Sequence, residues 1–298
     1  MMDSSSQPSL SGSFVICSAA VAPLRSEPRE ASEMVNQLLL GETARVLEEK
    51  PRWLRVAGLH DGYEGWLSIT QAFVLSRAAL PEWRAPAPQR RNSSFLLQAC
   101  TPSGQQMLIP AGAVLPEALG EPAPGQRLDY PFGRFEVMAV LPGNPAAARD
   151  AITAYTAHAP KEKAGILHTA LLFAGAPYLW GGRSVFGIDC SGFIQIVLQM
   201  HGYASPRDAS QQVNMPDSQA SLRGTDASGA HPGDIIYFSF DGINVVHVGF
   251  YAGGGLLLHA SGTVKLEYID EVAYKRKVHT FAFNERLAQH IYAVQHLR

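Results

Sequence analysis

The chain has 298 residues, 46% hydrophobic and 17% charged, a composition that fits a folded globular protein of two or three domains. Its formal net charge of −2 excludes the basic character typical of nucleic-acid and anionic-membrane binding. Three widely spaced cysteines fit neither a disulfide framework nor a zinc site with paired ligands. No apolar run is long enough to span a membrane, and the first residues lack the pattern of a secretory signal. We therefore expect a cytoplasmic protein with no nucleic-acid, membrane or metal partner.

Short strands separated by turns are predicted for the first part of the chain. Residues 1–12 are Ser-rich and predict a disordered tail. The strand candidates are residues 14–17, 19–24, 44–48, 53–56 and 65–67. Their order, with Gly41-Glu42 at a turn and Gly65-Trp66 at the closing strand, resembles the bacterial SH3-like domain, which implies a small barrel over residues 13–77. The Pro-rich residues 78–92 predict a linker.

The remaining chain predicts a second β segment and then an α+β domain. Residues 93–144 are interpreted as a divergent second SH3-like domain, or as a Pro-rich connection with a few strands, because five prolines interrupt the strand candidates. From residue 145 the pattern is helical up to Ala174, and residues 191–201 predict a helix that is apolar on all sides and therefore buried. Strand candidates follow at residues 234–238, 245–251, 256–260, 263–268 and 291–294. One or two helices against an antiparallel sheet make residues 145–298 an α+β domain.

One cysteine stands where this buried helix should begin. Residues 178–193 read YLWGGRSVFGIDCSGF, which places Cys190 on the first helical turn. Unpaired N–H groups and the dipole at a helix N-terminus favour thiolate over thiol, so we expect a lowered thiol pKa. An isolated free cysteine is more often a small buried hydrophobe. The hypothesis of a nucleophile therefore depends on finding a base.

Two histidines in apolar strands supply that base. His247 lies in VVHVGFY and His259 in LLLHAS, on either side of Gly253-Gly254-Gly255. If the glycines form a turn, the strands pair as a hairpin and the two rings can meet on one face. His247 would accept the proton of Cys190, and His259 would orient the base. A lone strand histidine is usually a core residue, but this combination favours catalysis.

Five ordered motifs resemble those of the NlpC-type cysteine peptidases of bacterial cell-wall metabolism. Within about residues 162–298 they read PYLWGGRSVFGIDCSGF, PRDASQQ, HPGDIIYF, HVGFY and LLHAS. The resemblance implies a papain-like fold with Cys190 as nucleophile, His247 as base and His259 as orienting residue. It also implies that Tyr178, with the backbone N–H of Cys190, holds the oxyanion. With SH3-like domains in front, the chain is similar to the γ-D-glutamyl-L-diamino acid endopeptidases, also called dipeptidyl-peptidase VI.

The same resemblance implies a pocket that reads a free N-terminal amine. Asp189 is the expected partner of the ammonium, since a carboxylate beside Cys190 opposes thiol ionisation and needs another purpose. Glu33 and Tyr63 match the residues with which the first SH3-like domain closes the pocket. Further matching pocket positions are Trp180, Ser191 and Ser210. The ordinary alternatives are a solvated glutamate at 33, a turn tyrosine at 63 and a helix-capping serine at 210.

The implied function is hydrolysis of the bond between γ-D-Glu and a diamino acid, L-Lys or meso-diaminopimelate, in short murein peptides with free N-terminal L-Ala. The partners would be murein peptides from cell-wall recycling, and no metal or organic cofactor is implied. If the SH3-like domain closes the cleft, only two residues fit before the scissile bond. One alternative is an exported endopeptidase that acts on polymeric wall through SH3-like binding domains. The other is an inactive wall-peptide-binding module, which the intact Cys190, His247 and His259 disfavour.

Overall fold

Three successive sheets organise the chain in a computed structural model. The structure describes residues 9–83, 90–117, 122–143, 146–157, 159–215, 218–222, 226–276 and 281–297. The predicted tail thus lies largely outside the described residues. Within the described part of the chain, no helix has both the length and the apolar character needed to cross a membrane.

The first unit is a seven-stranded antiparallel sheet with an apolar interior. Its strands, in the order β3-β2-β6-β5-β4-β1-β7, are β1 (Phe14–Cys17), β2 (Val21–Arg25), β3 (Met34–Leu39), β4 (Thr43–Lys50), β5 (Trp53–Gly58), β6 (Glu64–Ser68) and β7 (Ala72–Leu75). The alternation of β5 buries Leu54 and Val56 and leaves Arg55 outside. β3 and β7 are edge strands, so the sheet is open and the predicted closure into a barrel is wrong. The predicted turn at Gly41-Glu42 is confirmed, since the N–H of Glu42 donates to Leu39 O at 2.9 Å.

The predicted linker is partly folded. A 3₁₀ turn at Ile69–Gln71 precedes β7, and helix α1 (Leu80–Trp83) follows it. Trp83 is only 2% exposed because its ring stacks on Tyr130 of the second unit, with 5.6 Å between ring centroids. Residues 84–89 lie outside the described residues. Trp83, within the predicted linker, thus packs between the first two units, and the linker bounds of 78–92 stay a prediction.

The second unit is a four-stranded antiparallel sheet. In the order β10-β11-β8-β9, its strands are β8 (Leu96–Cys100), β9 (Gln106–Pro110), β10 (Arg127–Tyr130) and β11 (Gly133–Leu141). Pro110 ends β9, and Pro131 lies between β10 and β11. These prolines lie at the ends of strands and not in their interiors. The segment is therefore a sheet and not a Pro-rich connection.

The third unit packs helices against a six-stranded antiparallel sheet. The sheet order is β14 (Ser218–Leu222), β19 (Ile291–Leu297), β15 (Ile235–Phe238), β16 (His247–Gly253), β17 (Leu256–Ser261) and β18 (Thr263–Tyr268). A two-stranded hairpin, β12 (Arg183–Ser184) and β13 (Gly187–Ile188), precedes the central helix, and a 3₁₀ turn spans Leu171–Phe173. The helices are α2 (Ala146–Thr156), α3 (Lys161–Ala170), α4 (Cys190–Met200), α5 (Ala209–Gln212), α6 (Glu271–Arg276) and α7 (Glu285–Ala288). The predicted α+β class is confirmed, and α4 lies buried against β16 and β17.

A buried carboxylate joins the three units. Glu42, at the end of the β3–β4 turn, is 2% exposed and pairs with Arg183 of the third unit at 2.7 Å and with Arg91 of the second at 3.0 Å. Arg183 also donates to the backbone oxygen of Gln37 and to Gln199 Oε1. Because the carboxylate pairs with both guanidinium groups away from water, the network holds the first unit against the hairpin that precedes Cys190.

Candidate functional site

Cys190 is the first residue of α4, as predicted. Asp189 is its N-cap, with the carboxylate accepting from the N–H of Gly192 at 2.7 Å. Cys190 is 8% exposed, and the backbone of Val248 and of Ser191 lies close enough to favour the thiolate. Burial, reinforced by the negative charge of Asp189, nevertheless raises the pKa of Cys190 to about 12. This direction is opposite to the expected lowering of the thiol pKa, and desolvation is its largest cause.

The predicted histidine hairpin is present and continues into a glutamate. Strands β16 and β17 pair with Phe250 opposite Leu258, and His247 Nε2 lies 2.8 Å from His259 Nδ1. Gly249 makes room for this arrangement, since a Cβ there would lie 2.8 Å from His259 Cβ. His259 Nε2 in turn lies 3.0 Å from Glu267 Oε2. We call His247, His259 and Glu267 the relay.

The relay determines which nitrogen of His247 can take a proton. An ionised carboxylate only accepts hydrogen bonds, so Nε2 of His259 donates to Glu267 and its Nδ1 must accept. Nε2 of His247 therefore donates to His259, which leaves Nδ1 of His247 unprotonated. Burial and the neighbouring His259 lower the pKa of His247 to about 3, so the resting base is neutral.

Glu267 and Asn284 were not predicted as site residues. Burial opposes ionisation of Glu267, but hydrogen bonds from His259, Lys265 and Asn284 hold its pKa at about 2. The sequence does carry a signal for Glu267. Ser261-Gly262 is a turn between two β patterns, and the register of β17 and β18 sets His259 opposite Lys265. Glu267, two residues further along the same face, is then a diagonal neighbour of His259.

The predicted pocket residues meet in one cavity of about 570 Å³, which we call the first cavity. Its lining includes Cys190 together with all six predicted pocket residues, namely Glu33, Tyr63, Trp180, Asp189, Ser191 and Ser210. Tyr178 and His247 line a neighbouring space, and Val246 borders both. Burial, with smaller contributions from Cys190 and Asp189, raises the pKa of Tyr178 to about 12, as expected for a hydroxyl near Cys190. The structure thus brings these residues together, while their individual roles stay predictions.

The carboxylate of Asp189 is already engaged. Arg207 binds both of its oxygens, at 2.9 Å and 2.5 Å, and the N–H of Gly181 donates to it at 2.8 Å. Asp189 also lines the first cavity, and its role as the ammonium partner stays a prediction. Asp208 lines the same cavity half-buried, and its side chain does not cap α5. Burial raises the pKa of Asp208, Arg207 opposes this effect, and Asp189 adds to it.

The first unit supplies one wall of the first cavity. Trp180, 62% exposed, donates from Nε1 to Glu33 Oε1 at 2.7 Å across the two units. The loop that carries Tyr63 is anchored by Asp61, which accepts from Gln195 Nε2 of α4 at 3.0 Å. Glu33, although exposed, and the half-buried Tyr63 thus line the cavity that the first unit shares with the third.

A group of possible metal ligands lies outside the cleft. Ligand atoms of His231, Asp234 and His296 all lie within 4.8 Å of one another. Asp234 pairs with Lys163 at 2.7 Å, so this ammonium already supplies the positive charge. None of the three ligands lines the first cavity or the neighbouring space.

Comparisons with known proteins agree with this geometry. Residues 175–282 match the NlpC/P60 family, and residues 24–71 match the bacterial dipeptidyl-peptidase SH3 domain. A relative from Bacillus subtilis, named gamma-D-glutamyl-L-lysine dipeptidyl-peptidase, is 27% identical to this chain. The alignment covers 81% of this chain and 78% of the relative. Dipeptidyl-peptidase 6 from Lysinibacillus sphaericus is 25% identical, with coverages of 85% and 90%. An NlpC/P60 family crystal structure from Bacillus cereus shares the fold, with a TM-score of 0.70 at 18% identity over 96% of this chain and 99% of that one.

Proposed function

We propose that this chain, which contains an NlpC/P60 domain and a bacterial dipeptidyl-peptidase SH3 domain, is a cysteine peptidase that cuts between γ-D-Glu and a diamino acid in short murein peptides. The observation that carries the proposal is the position of Cys190. It opens onto a cavity with the first unit as one wall, and it lies beside the strand that bears His247. The name of the Bacillus subtilis relative, gamma-D-glutamyl-L-lysine dipeptidyl-peptidase, supports the same bond.

The chemistry is acyl transfer through a thioester. The sulfur of Cys190 attacks the γ-carbonyl carbon of D-Glu while its proton passes to Nδ1 of His247. The resulting oxyanion is held by the backbone N–H of Cys190 and the hydroxyl of Tyr178. His247 then gives its proton to the leaving α-amine, and a water molecule hydrolyses the thioester. Because Cys190 is a thiol and His247 is neutral at rest, proton transfer accompanies the attack.

Carboxylates of the first cavity select the amino end of the substrate. The ammonium of N-terminal L-Ala needs an anionic partner in a partly desolvated site. Asp189, which is paired with Arg207, lines the cavity together with the carboxylates of Glu33 and Asp208 and with Tyr63, and these groups bind the ammonium. With this wall in place, the cavity accepts two residues before the scissile bond and releases L-Ala-D-Glu. Such an enzyme serves the recycling of murein fragments in the cytoplasm.

The test compares L-Ala-γ-D-Glu-L-Lys with its N-acetylated form by chromatographic detection of the released dipeptide. We expect turnover of the free amine and a loss of about tenfold or more in kcat/KM on acetylation, since an ion pair in a partly desolvated cavity is lost. Asp208→Asn should raise KM for the free peptide, and Cys190→Ala should remove activity without loss of folding. Equal turnover of the two peptides, or release of fragments from purified sacculi, would overturn the short-peptide specificity.

A further inference from the structure

A second cavity of about 550 Å³ continues the cleft beyond the scissile bond. Tyr178 and His247 lie at its catalytic end, and Val246 separates it from the first cavity. Its remaining lining is Phe240, Ala260, Ser261, Gly262, Asn284, Arg286 and Leu287. If the amino end of the peptide occupies the first cavity, the leaving diamino acid must enter the second. This inference therefore rests on the proposed function.

Arg286 gives the second cavity its electrostatic character. It is the only permanently charged side chain among the described residues that line this cavity, and it makes no ion pair with any described residue. Its guanidinium carbon lies 3.9 Å from the centroid of the Phe240 ring. Stacking on an aromatic ring leaves the N–H edges of a guanidinium free to bind a planar carboxylate through two hydrogen bonds.

The turn that carries Arg286 is attached to the relay. The side chain of Asn284 accepts from the N–H of Leu287 at 3.0 Å and so caps α7. Its Nδ2 also donates to Glu267 Oε2 at 2.7 Å. On the other side, His290 packs edge-on against Phe240, and its Nδ1 lies 2.6 Å from the backbone oxygen of Arg286. Arg286 is therefore presented by a turn that is fixed relative to His247.

We propose that the second cavity binds the leaving diamino acid and that Arg286 binds a carboxylate of that residue. In a tripeptide, both candidate diamino acids carry a free α-carboxylate beside the leaving amine. Meso-diaminopimelate carries a second carboxylate at its far end, where L-Lys has only an ammonium. The cavity offers a cation and no carboxylate, so it suits an anionic group and opposes a lone ammonium.

Three peptides separate the two sources of the carboxylate. They are L-Ala-γ-D-Glu-L-Lys, its C-terminal amide, and L-Ala-γ-D-Glu-meso-diaminopimelate. If Arg286 binds the α-carboxylate, the amide loses about tenfold in kcat/KM relative to its parent. If it binds the distal carboxylate, the diaminopimelate peptide is favoured over the L-Lys peptide by a similar factor. Either preference should collapse in Arg286→Gln and partly survive in Arg286→Lys, which keeps the charge but loses the planar fork.

Arg134→Gln is the matched control, because Arg134 is an exposed arginine of the second unit whose partner is Asp129. It should leave all three kcat/KM values unchanged. Equal kcat/KM values for the three peptides in the unmodified enzyme would overturn the inference. Preferences that persist in Arg286→Gln, with an unchanged melting temperature, would also overturn it. Failure of the proposed function looks different, because no peptide would then release L-Ala-D-Glu.

Discussion

Replacing Glu267 by glutamine should slow kcat by about 5- to 150-fold and leave KM nearly unchanged. The carboxylate accepts from His259 at 3.0 Å, from Asn284 at 2.7 Å and from Lys265 at 2.8 Å. His259 and Asn284 share Oε2 while Lys265 binds Oε1, so the NH₂ group of glutamine faces either Lys265 or the other two donors, and the carboxylate charge is lost in both cases. Glu267 lines neither cavity, so the loss falls on proton transfer and not on substrate binding.

The range follows from the donor that loses its acceptor. A buried donor without a partner costs about 1–3 kcal/mol, and about 1.4 kcal/mol corresponds to tenfold in rate. If the new NH₂ group faces the fully buried ring of His259, that ring must accept at Nε2 and donate from Nδ1. His247 then carries its proton on Nδ1, the nitrogen that has to receive the proton of Cys190. The upper end of the range describes this wrong tautomer.

Steady-state kinetics on L-Ala-γ-D-Glu-L-Lys, together with thermal unfolding, separate slow chemistry from loss of folding. Lys265→Gln is the matched control, because Lys265 binds the same carboxylate but its side chain is 39% exposed. Such a pair contributes at most about 1 kcal/mol, so kcat should stay within about fivefold. A kcat of Glu267→Gln equal to that of the unmodified enzyme would refute the reasoning, as would a raised KM at constant kcat.

Three further outcomes are expected. With the pKa of His247 lowered to about 3, the base is neutral above that pH and is lost as pH falls through it. In the pH profile of kcat/KM, the apparent pKa on the acid side should therefore lie well below about 6.5, the ordinary pKa of an imidazole. An apparent pKa at or above about 6.5 would contradict this. Gly249→Ala places a Cβ 2.8 Å from His259 Cβ and should lower kcat and the melting temperature, with a loss of about 1–3 kcal/mol in the free energy of unfolding. Unchanged values would show that the two strands move apart without cost. Glu42→Gln leaves Arg183 without its counter-charge and should cost about 3–5 kcal/mol in urea unfolding. Glu64 pairs with Arg55 on the surface, so Glu64→Gln should lower the free energy of unfolding by less than about 1 kcal/mol. Equal losses for the Glu42 and Glu64 variants would contradict the role of burial.

Local patterns predicted where Cys190 and the two histidines lie in the fold. The cysteine begins a helix because an N-capping aspartate and a long apolar run mark the start, and these signals lie within a few residues of each other. The histidines meet because a glycine turn sets the register of two apolar strands. Each of these inferences needs only neighbouring residues, which explains why the arrangement of Cys190, His247 and His259 could be read from the sequence.

Features that depend on distant parts of the chain were missed. The sequence indicates a helix dipole at Cys190, but the desolvation that raises its pKa depends on the segments that cover it. Likewise, the motif that contains Asp189 does not reveal that Arg207 neutralises it from 18 positions further along. Trp83 is buried by a ring of the second unit, Tyr130, and the Pro-rich composition of its own segment does not indicate this contact.

The counter-charge of Arg183 lies on a different unit, and this limits how the chain can be taken apart. A peptidase domain cut away from the SH3-like domain would keep a guanidinium that is fully buried in the intact protein and lose the carboxylate that neutralises it. Arg183 also sits in the hairpin just ahead of the nucleophile, so the disturbance would reach the active site. The three units are therefore not interchangeable modules. Transplanting this peptidase domain onto another scaffold would require an apolar residue at position 183 as well as a new wall for the first cavity.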